Sequence, residues 1–234
     1  MKNIILLINI NLATILCVGS SFYMSTRSKS EMIVVEALTQ NNLRLENKIV
    51  ELENQLAFVS ESISFEQKKN TKVKKIKGII ADTIKKEKYA AYMNAAEMNI
   101  FATAIVDYSE KYDVPASLIL AVARKESHFN PKATSEMYAQ GLMQLLPETA
   151  DECARDLHLD DYEIFTIRDN VRLGTWYLSK LIKYFKGDQS AAIKAYNVGL
   201  GFVEKNYTLP YETVDYHFYV SQWQQEYKLV ADRW

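Results

Sequence analysis

Residues 115–131 read PASLILAVARKESHFNP, and this stretch predicts one apolar helix that ends near Glu126. Proline is favoured in the first turn of a helix, so Pro115 marks the beginning. The Asn130-Pro131 pair marks the end, because a residue that precedes proline avoids helical geometry. Only seven Gly and four Pro occur in the 234 residues, and strand-like alternation never reaches a useful length. The sequence therefore predicts an all-α protein.

Further helices are predicted on both sides of this stretch. Upstream, four apolar residues share one helix face: Ile100, Ala104, Ile105 and Tyr108. Downstream, Pro147 opens another helix, and apolar periodicity predicts two more over residues 171–185 and 190–196. A chain of 234 residues suits one domain of ordinary size with accessory segments.

Charge and cysteine content exclude several classes of function. Residues 97–234 contain 14 Lys and Arg against 20 Asp and Glu, which argues against a nucleic-acid ligand because phosphate binding depends on Lys and Arg. Cys17 lies in an apolar N-terminal run and Cys153 in the acidic region, so we expect no disulfide between them. No CxxC or HExxH spacing occurs, and we expect no metal and no cofactor.

An apolar segment lies at the N-terminus. Residues 4–24 read IILLININLATILCVGSSFYM without a charge, about the length that a helix needs to cross a bilayer. We expect residues 1–25 to form a membrane anchor. A cleaved signal peptide is the alternative, because Lys2 precedes the apolar run and Val18-Gly19-Ser20 supplies small residues. Lipidation of Cys17 is disfavoured, since no small residue stands directly before it.

Residues 31–64 show a heptad pattern that predicts a coiled coil. Apolar residues occupy the a positions Val35, Ile49, Leu56 and Ile63 and the d positions Leu38, Leu45, Leu52 and Val59. Asn42 is the one polar core position, and a buried Asn at a fixes register in a parallel two-stranded coil. We therefore expect a parallel homodimer through residues 35–63, with packing of one amphipathic helix on its own domain as the alternative.

Residues 65–96 lose the heptad pattern and are rich in lysine. The lysines are Lys68, Lys69, Lys72, Lys74, Lys75, Lys77, Lys85, Lys86 and Lys88. Attraction to anionic lipid headgroups or wall polymers is one interpretation, and a solvated helical linker without a ligand is the other. The remaining residues, 97–234, are predicted to form the compact helical domain.

Glu126 is the candidate for chemistry. It stands at the C-terminal end of an apolar helix, where the helix dipole and burial both disfavour a carboxylate. We therefore expect its pKa to be raised toward that of a useful general acid. Taken alone, a glutamate in such a position is more often a surface residue.

Four ordered blocks of sequence give Glu126 a context. They are Glu126-Ser127-x-Phe129-Asn130-Pro131, then Ser135 with Gly141-Leu142-Met143-Gln144-x-x-Pro147-x-Thr149-Ala150, then Ala195-Tyr196-Asn197-x-Gly199, and Pro210-Tyr211-Glu212-Thr213-x-x-Tyr216. Through these blocks the sequence resembles lytic transglycosylases of the soluble-transglycosylase type, whose domain is related to goose-type lysozyme. The resemblance covers about residues 100–220 and implies a lysozyme-like helical fold.

The resemblance implies a role for seven residues. Glu126 would be the catalytic acid and base, and six residues would line the saccharide site: Ser135, Met143, Gln144, Tyr196, Asn197 and Tyr216. The polar side chains of Gln144 and Tyr196 suit sugar hydroxyl and acetamido groups. Three of the others have a plain alternative: Met143 as core packing, Tyr216 as a buried aromatic residue and Asn197 as the end of a helix. His128 occupies a variable position and is expected at the surface.

The chain departs from the family pattern at two positions. Tyr138 stands where family members commonly carry Gly, and Leu200 stands where Pro is frequent. Both positions bear on substrate preference and neither on the acid. Glycine there would allow a positive φ, so the loop after Ser135 is expected to differ in shape.

The resemblance also implies a reaction and a location. Glu126 would cleave the bond between N-acetylmuramic acid and N-acetylglucosamine in peptidoglycan, with formation of 1,6-anhydromuramoyl ends. Hydrolysis with a second carboxylate from Asp151, Glu152, Asp160 or Asp161 is an alternative, and a non-catalytic scaffold of an envelope-spanning assembly is another. Because peptidoglycan lies outside the cytoplasm, we expect a single-pass protein of the bacterial inner membrane with its catalytic domain on the periplasmic side.

Overall fold

The computed structural model describes residues 29–89, 92–205 and 208–232, which form eight helices and no strands. The helices are α1 (Lys29–Glu87), α2 (Ala95–Tyr112), α3 (Ala116–Ser127), α4 (Pro147–Asp156), α5 (Ile167–Tyr184), α6 (Gln189–Val198), α7 (Leu200–Glu204) and α8 (Tyr211–Ala231). Extended pairing in these ranges is limited to two isolated bridges, Thr134 with Gln140 and Gln140 with Leu145. The all-α prediction is confirmed.

Helix α3 is the central helix of the core. Every residue from Ala116 to Arg124 is buried. At its beginning, the backbone N–H of Ser117 donates to the Asp232 carboxylate over 3.0 Å, which satisfies one of the free donors of the first turn. At its end, His128 adopts a left-handed conformation with φ 51°, and its N–H bonds to the Arg124 carbonyl. The predicted limits of this helix are confirmed, and the His128 side chain is exposed as expected.

The predicted surrounding helices are present with small differences at their ends. Pro147 is in the first turn of α4, and Thr166 and Asp188 cap α5 and α6 through their side chains. In α2, three of the four residues assigned to one buried face are buried, whereas Ile100 is 47% exposed. Helices α7 and α8 were not predicted.

The contacts divide the chain into two units, between Ile63 and Ser64. In the second unit, Val73, Ile76 and Ile80 on α1 are buried with the core residues of the other helices. Lys69 pairs with Asp107 of α2 at 2.6 Å. The lysine-rich part of α1 therefore packs one face into the core. It is not the fully solvated linker that was one interpretation of the sequence.

In the first unit, α1 is helical through the predicted coiled-coil segment. Its apolar d positions are half or more exposed, and so is Leu56 at an a position, with 70% exposure. These side chains are thus available to a second helix, and the coiled coil itself stays a prediction.

No helix in the described ranges combines the length and apolar character needed to cross a bilayer. The segment predicted as an anchor or signal, residues 4–24, lies outside the described residues, as does Cys17. Cys153 is a free, buried thiol, and burial raises its pKa to about 12.

Candidate active site

Glu126 lies in the last turn of α3, and its side chain keeps partial access to solvent. The hydroxyl of Tyr216, which is buried on α8, donates a hydrogen bond of 2.7 Å to its Oε1. Two helices that are distant in sequence therefore fix the position of this carboxyl group.

The surroundings of Glu126 raise its pKa to about 7. Burial of the carboxyl is the largest cause, because a charge loses solvation there, and the charge of Glu212 adds to the effect. The Tyr216 hydrogen bond and the charge of Lys125 act in the opposite direction. Near neutral pH the group therefore exchanges a proton readily, as a general acid and base must.

Two buried tyrosines accompany the carboxyl group. Burial and the charge of Glu126 raise the pKa of both Tyr196 and Tyr216 well above its usual value, so their hydroxyls stay protonated and donate. Tyr196 donates to the main-chain carbonyl of Met143 over 2.9 Å. Its ring thus connects α6 to the segment that follows Glu126 in the chain.

That segment, the 131–146 loop, folds back on itself. The N–H of Gly141 donates to the Ala133 carbonyl over 2.9 Å, and Gln140 and Leu145 exchange two hydrogen bonds. Gly141 has φ 79°, and a Cβ there would stand 2.2 Å from Nδ2 of Asn170. Glycine is required at this position on both counts.

Buried contacts hold the loop next to Glu126. Ser127 Oγ, the neighbour of Glu126 in sequence, is 2.8 Å from the carbonyl oxygen of Leu142 and donates to it. Met143 is fully buried, and its N–H donates to Asn170 Oδ1 over 2.8 Å. Gly174 on α5 makes room for Met143, since a Cβ there would approach its sulfur to 2.5 Å.

The residues predicted to bind saccharide differ in how directly the structure connects them to Glu126. Glu126 and Tyr216 are in direct contact. Tyr196 is bonded to Met143, and it is near enough to Glu126 for the charge of that carboxyl group to raise its pKa. Gln144 is half-buried, and its Nε2 donates to two loop carbonyls, those of Ala133 and Gly141, which leaves Oε1 outside these bonds.

The other two predicted residues take part in local structure. Asn197 accepts a 2.8 Å hydrogen bond from Thr213 of α8 through Oδ1. Ser135 is exposed in the loop, and its Oγ accepts from the N–H of Ala139 over 3.0 Å. Their roles in substrate binding stay predictions.

Two buried polar residues that support the site were missed in the sequence. Asn170 is 1% exposed and bonds the loop as described. Arg124 is 2% exposed, donates to Tyr227 and Glu87 at 2.7 Å each, and stacks on the ring of Trp223 at 3.9 Å. The signal for Arg124 was a charged residue inside an apolar run.

Within the ranges that the structure describes, no three His, Cys, Asp or Glu side chains are grouped as a metal site requires. The expectation of a site without metal stays a prediction.

Comparison with known sequences places this geometry in a family. The family model described as "Transglycosylase SLT domain" matches residues 103–218. Soluble lytic murein transglycosylase of Salmonella typhimurium is 35% identical over 100 residues, which cover 41% of this chain and 16% of that protein. Membrane-bound lytic murein transglycosylase C of Serratia proteamaculans is 39% identical over 107 residues, covering 41% of this chain and 30% of that protein.

Solved structures agree with the sequence matches. An inactive mutant of the lytic transglycosylase Slt of Pseudomonas aeruginosa superimposes with a TM-score of 0.51 and 30% identity, over 54% of this chain and 23% of that one. The 70 kDa soluble lytic transglycosylase of Escherichia coli gives a TM-score of 0.51 over 57% of this chain and 28% of that one; at 24% identity it supports the fold alone. The chain spans less than a third of the length of each of these relatives. Through residues 103–218 it belongs to the family of proteins with a transglycosylase SLT domain.

Proposed function

We propose that this protein is a peptidoglycan lytic transglycosylase with Glu126 as its catalytic acid and base. The observation that carries the proposal is a single partly accessible carboxyl group, with a pKa of about 7, bonded by a buried tyrosine hydroxyl. The named relatives, which are lytic murein transglycosylases, support the choice of substrate.

In the first step Glu126 acts as the acid. It gives its proton to the oxygen that joins N-acetylmuramic acid to N-acetylglucosamine, and the bond from that oxygen to C1 breaks. The 2-acetamido carbonyl oxygen of the muramoyl unit closes on C1 and forms an oxazolinium-like intermediate. The N-acetylglucosamine part leaves with a free hydroxyl, and Tyr216 stabilises the new carboxylate by its hydrogen bond.

In the second step Glu126 acts as the base. Its carboxylate takes the proton of the C6 hydroxyl, the C6 oxygen attacks C1, and the bond from C1 to the acetamido oxygen breaks. The product has a 1,6-anhydromuramoyl end, Glu126 is protonated again, and no water is consumed. A pKa near neutrality suits both steps, because the same group must first hold a proton and later accept one.

Hydrolysis would need a second carboxylate in the site. The candidates named from sequence are exposed, and two of them have other partners: Asp151 accepts from Tyr162 at 2.6 Å, and Glu152 pairs with Lys180 at 2.6 Å. Glu212 is near enough for its charge to act on Glu126, yet it is exposed. These positions favour the one-carboxylate reaction.

Mass spectrometry of muropeptides tests the proposal. Protein containing residues 64–234 is incubated with peptidoglycan, and anhydro ends are expected. Reducing ends would instead indicate hydrolysis, and the absence of released fragments would indicate a binding module. Glu126→Gln should abolish release, whereas Glu212→Gln should keep the anhydro product.

We also propose how the protein is placed in the cell. Residues 4–24 would anchor it as a single-pass protein in the inner membrane, with the catalytic unit on the periplasmic side. The name of one relative, membrane-bound lytic murein transglycosylase C of Serratia proteamaculans, supports membrane association. Residues 35–63 would pair with those of a second copy in parallel, because two chains anchored in one membrane leave it in the same direction. Membrane fractionation with and without residues 1–25 tests the anchor.

A further inference from the structure

Tyr138 combines an unusual backbone conformation with an exposed aromatic ring. Its φ is 63°, in the left-handed region, and its side chain is 72% exposed. Met137 beside it is 77% exposed. The turn is held from within, since the N–H of Tyr138 donates to the Ser135 carbonyl over 3.0 Å. The two side chains therefore form an apolar tip on the 131–146 loop.

Neither feature contributes to the stability of the fold. A bulky residue at positive φ is disfavoured by steric contact between its Cβ and the backbone, and glycine would remove that cost. An exposed ring gains nothing from burial. Strained residues of this kind concentrate at functional sites, where the surrounding structure holds them in place.

The tip belongs to the same loop that borders Glu126. The base of the loop is fixed to Ser127 by the bond to Leu142 and closed by the bond between Gly141 and Ala133. Tyr138 and Gly141 are three positions apart in sequence, so the Tyr138 backbone lies within about 10 Å of Gly141. The tip is thus carried by a loop whose base is bonded to the sequence neighbour of Glu126.

We propose that Tyr138, with Met137 beside it, binds the glycan strand away from the bond that is cleaved. One face of a pyranose ring carries C–H groups, which pack well against an aromatic face while the sugar hydroxyls stay in water. A rigid ring held on a fixed turn offers this contact at a low cost in conformational entropy. Tyr138 would therefore favour long strands over single disaccharide units. The proposal rests on the proposed function for the identity of the strand.

The test measures binding, so that it does not depend on turnover. Glu126→Gln is used as the parent, and its dissociation constants for long uncross-linked glycan strands and for the disaccharide unit are measured by calorimetry. Tyr138→Gly removes both the ring and the strain, and Tyr138→Phe keeps the ring. Lys186→Gly is the matched control, because Lys186 is also exposed with positive φ, 53°, in the connection between α5 and α6.

We expect Tyr138→Gly to weaken binding of long strands about fivefold or more, with an unchanged or higher melting temperature. Tyr138→Phe and Lys186→Gly should bind within about twofold of the parent. Undiminished binding of long strands by Tyr138→Gly would overturn the proposal. The proposal would also be overturned if Tyr138→Phe or Lys186→Gly lost as much affinity for long strands as Tyr138→Gly. Should Tyr138→Gly lower the melting temperature, Tyr138→Asn decides, since Asn tolerates positive φ and lacks the ring: retained binding there would refute the contact.

The same samples separate this proposal from the proposed function. If protein with Glu126 intact releases no fragments, the proposed function is wrong. The dissociation constants of Tyr138→Gly and its parent for long strands still show whether Tyr138 contributes to binding. If anhydro ends are released, and Tyr138→Gly and its parent bind long strands with the same dissociation constant, the proposed catalysis stands and the proposed contact with Tyr138 is wrong.

Discussion

The Glu126 carboxyl group is subject to two opposing influences whose balance sets its chemistry. Burial raises its pKa by removing water from the charged form, and the Tyr216 hydroxyl lowers it by donating to that form. Burial is the larger effect. The tyrosine thus limits the rise in the pKa of Glu126.

Replacing Tyr216 by Phe should move the alkaline limb of the pH profile upward. Without the donated hydrogen bond the carboxylate is less stable, so the pKa of Glu126 rises and the acid stays protonated to higher pH. A bond to a charged group contributes about 1.5 kcal/mol, which corresponds to about one pH unit. The profile of kcat/KM against pH measures this limb. Tyr211→Phe, an exposed tyrosine on the same helix, is the control, and a downward movement in Tyr216→Phe would contradict the stated role.

The same pKa predicts how stability depends on pH. The folded pKa of about 7 lies above the ordinary value of 4.5, so the folded protein holds this proton more tightly than the unfolded chain. Its contribution to stability is complete below pH 4.5 and is lost as pH rises through 7. Glu126→Gln carries no such charge and should gain stability relative to the parent at pH 8 but not at pH 4, by about 1–3 kcal/mol. Thermal unfolding at both pH values measures the difference. Glu136→Gln, an exposed loop residue, should show none.

Individual residues differ in how far sequence alone could place them. The position of Glu126 at the end of a buried helix could be predicted because that helix and the block around it are local in the chain. That of Arg124 could not, because its partners Glu87, Trp223 and Tyr227 are 37 to 103 positions away and no short-range pattern links them. Asn170 was missed for the same reason, since it bonds a loop some 27 residues upstream.

Among the helices, α1 extends the unit that contains Glu126 beyond the region of the family match. The family match starts at residue 103, yet the core includes α1 residues from Val73 onward. Arg124 joins the end of α1 to α3 and α8, two positions before Glu126 in sequence. The second half of α1 is therefore part of the structure that positions Glu126, the proposed acid.

Shortening Ile76 or Ile80 to Ala should destabilise the unit that contains Glu126. Both side chains are fully buried, and each change removes apolar burial and leaves a cavity, which costs about 2–4 kcal/mol. Urea unfolding followed by circular dichroism measures the loss. Lys74→Ala, on the exposed side of the same helix, should change stability by less than about 0.5 kcal/mol. Equal stability of the Ile80 variant and the parent would mean that α1 does not complete the core.

Helices with strong local signals were predicted, and the others were not. Proline marked the start of α3 and α4, and apolar periodicity marked α5 and α6. The apolar residues Val73, Ile76 and Ile80 have helical spacing. They form a narrow apolar face among many lysines, however, and such a face does not show which helices it packs against. Helix α8 is buried at only five positions over 21 residues, so its periodicity is weak.

At the scale of the whole molecule, the proposed catalytic site and the predicted coiled coil belong to different parts of the chain. The Glu126 site is built entirely from residues of the unit that begins at Ser64, whereas the heptads end at Ile63. The apolar heptad side chains are half or more exposed at all but Val35, an amount of exposed apolar surface that a soluble helix rarely leaves uncovered. Pairing with a second copy would cover it.

A charge introduced at the helix seam should therefore separate the dimer without harming the site. Leu52 is a d position, where a lysine would bring two like charges together in an apolar seam, so Leu52→Lys should be monomeric. Asn54→Lys adds the same charge at an f position on the outer face and should stay dimeric. Sedimentation equilibrium of residues 29–234 measures the mass of each. Because Glu126 and Tyr216 lie in the other unit, the rate of cleavage per chain on soluble glycan strands should be unchanged in Leu52→Lys. A parent that sediments as a monomer at tens of micromolar would refute the paired coil, and the exposed heptads would then need a different partner.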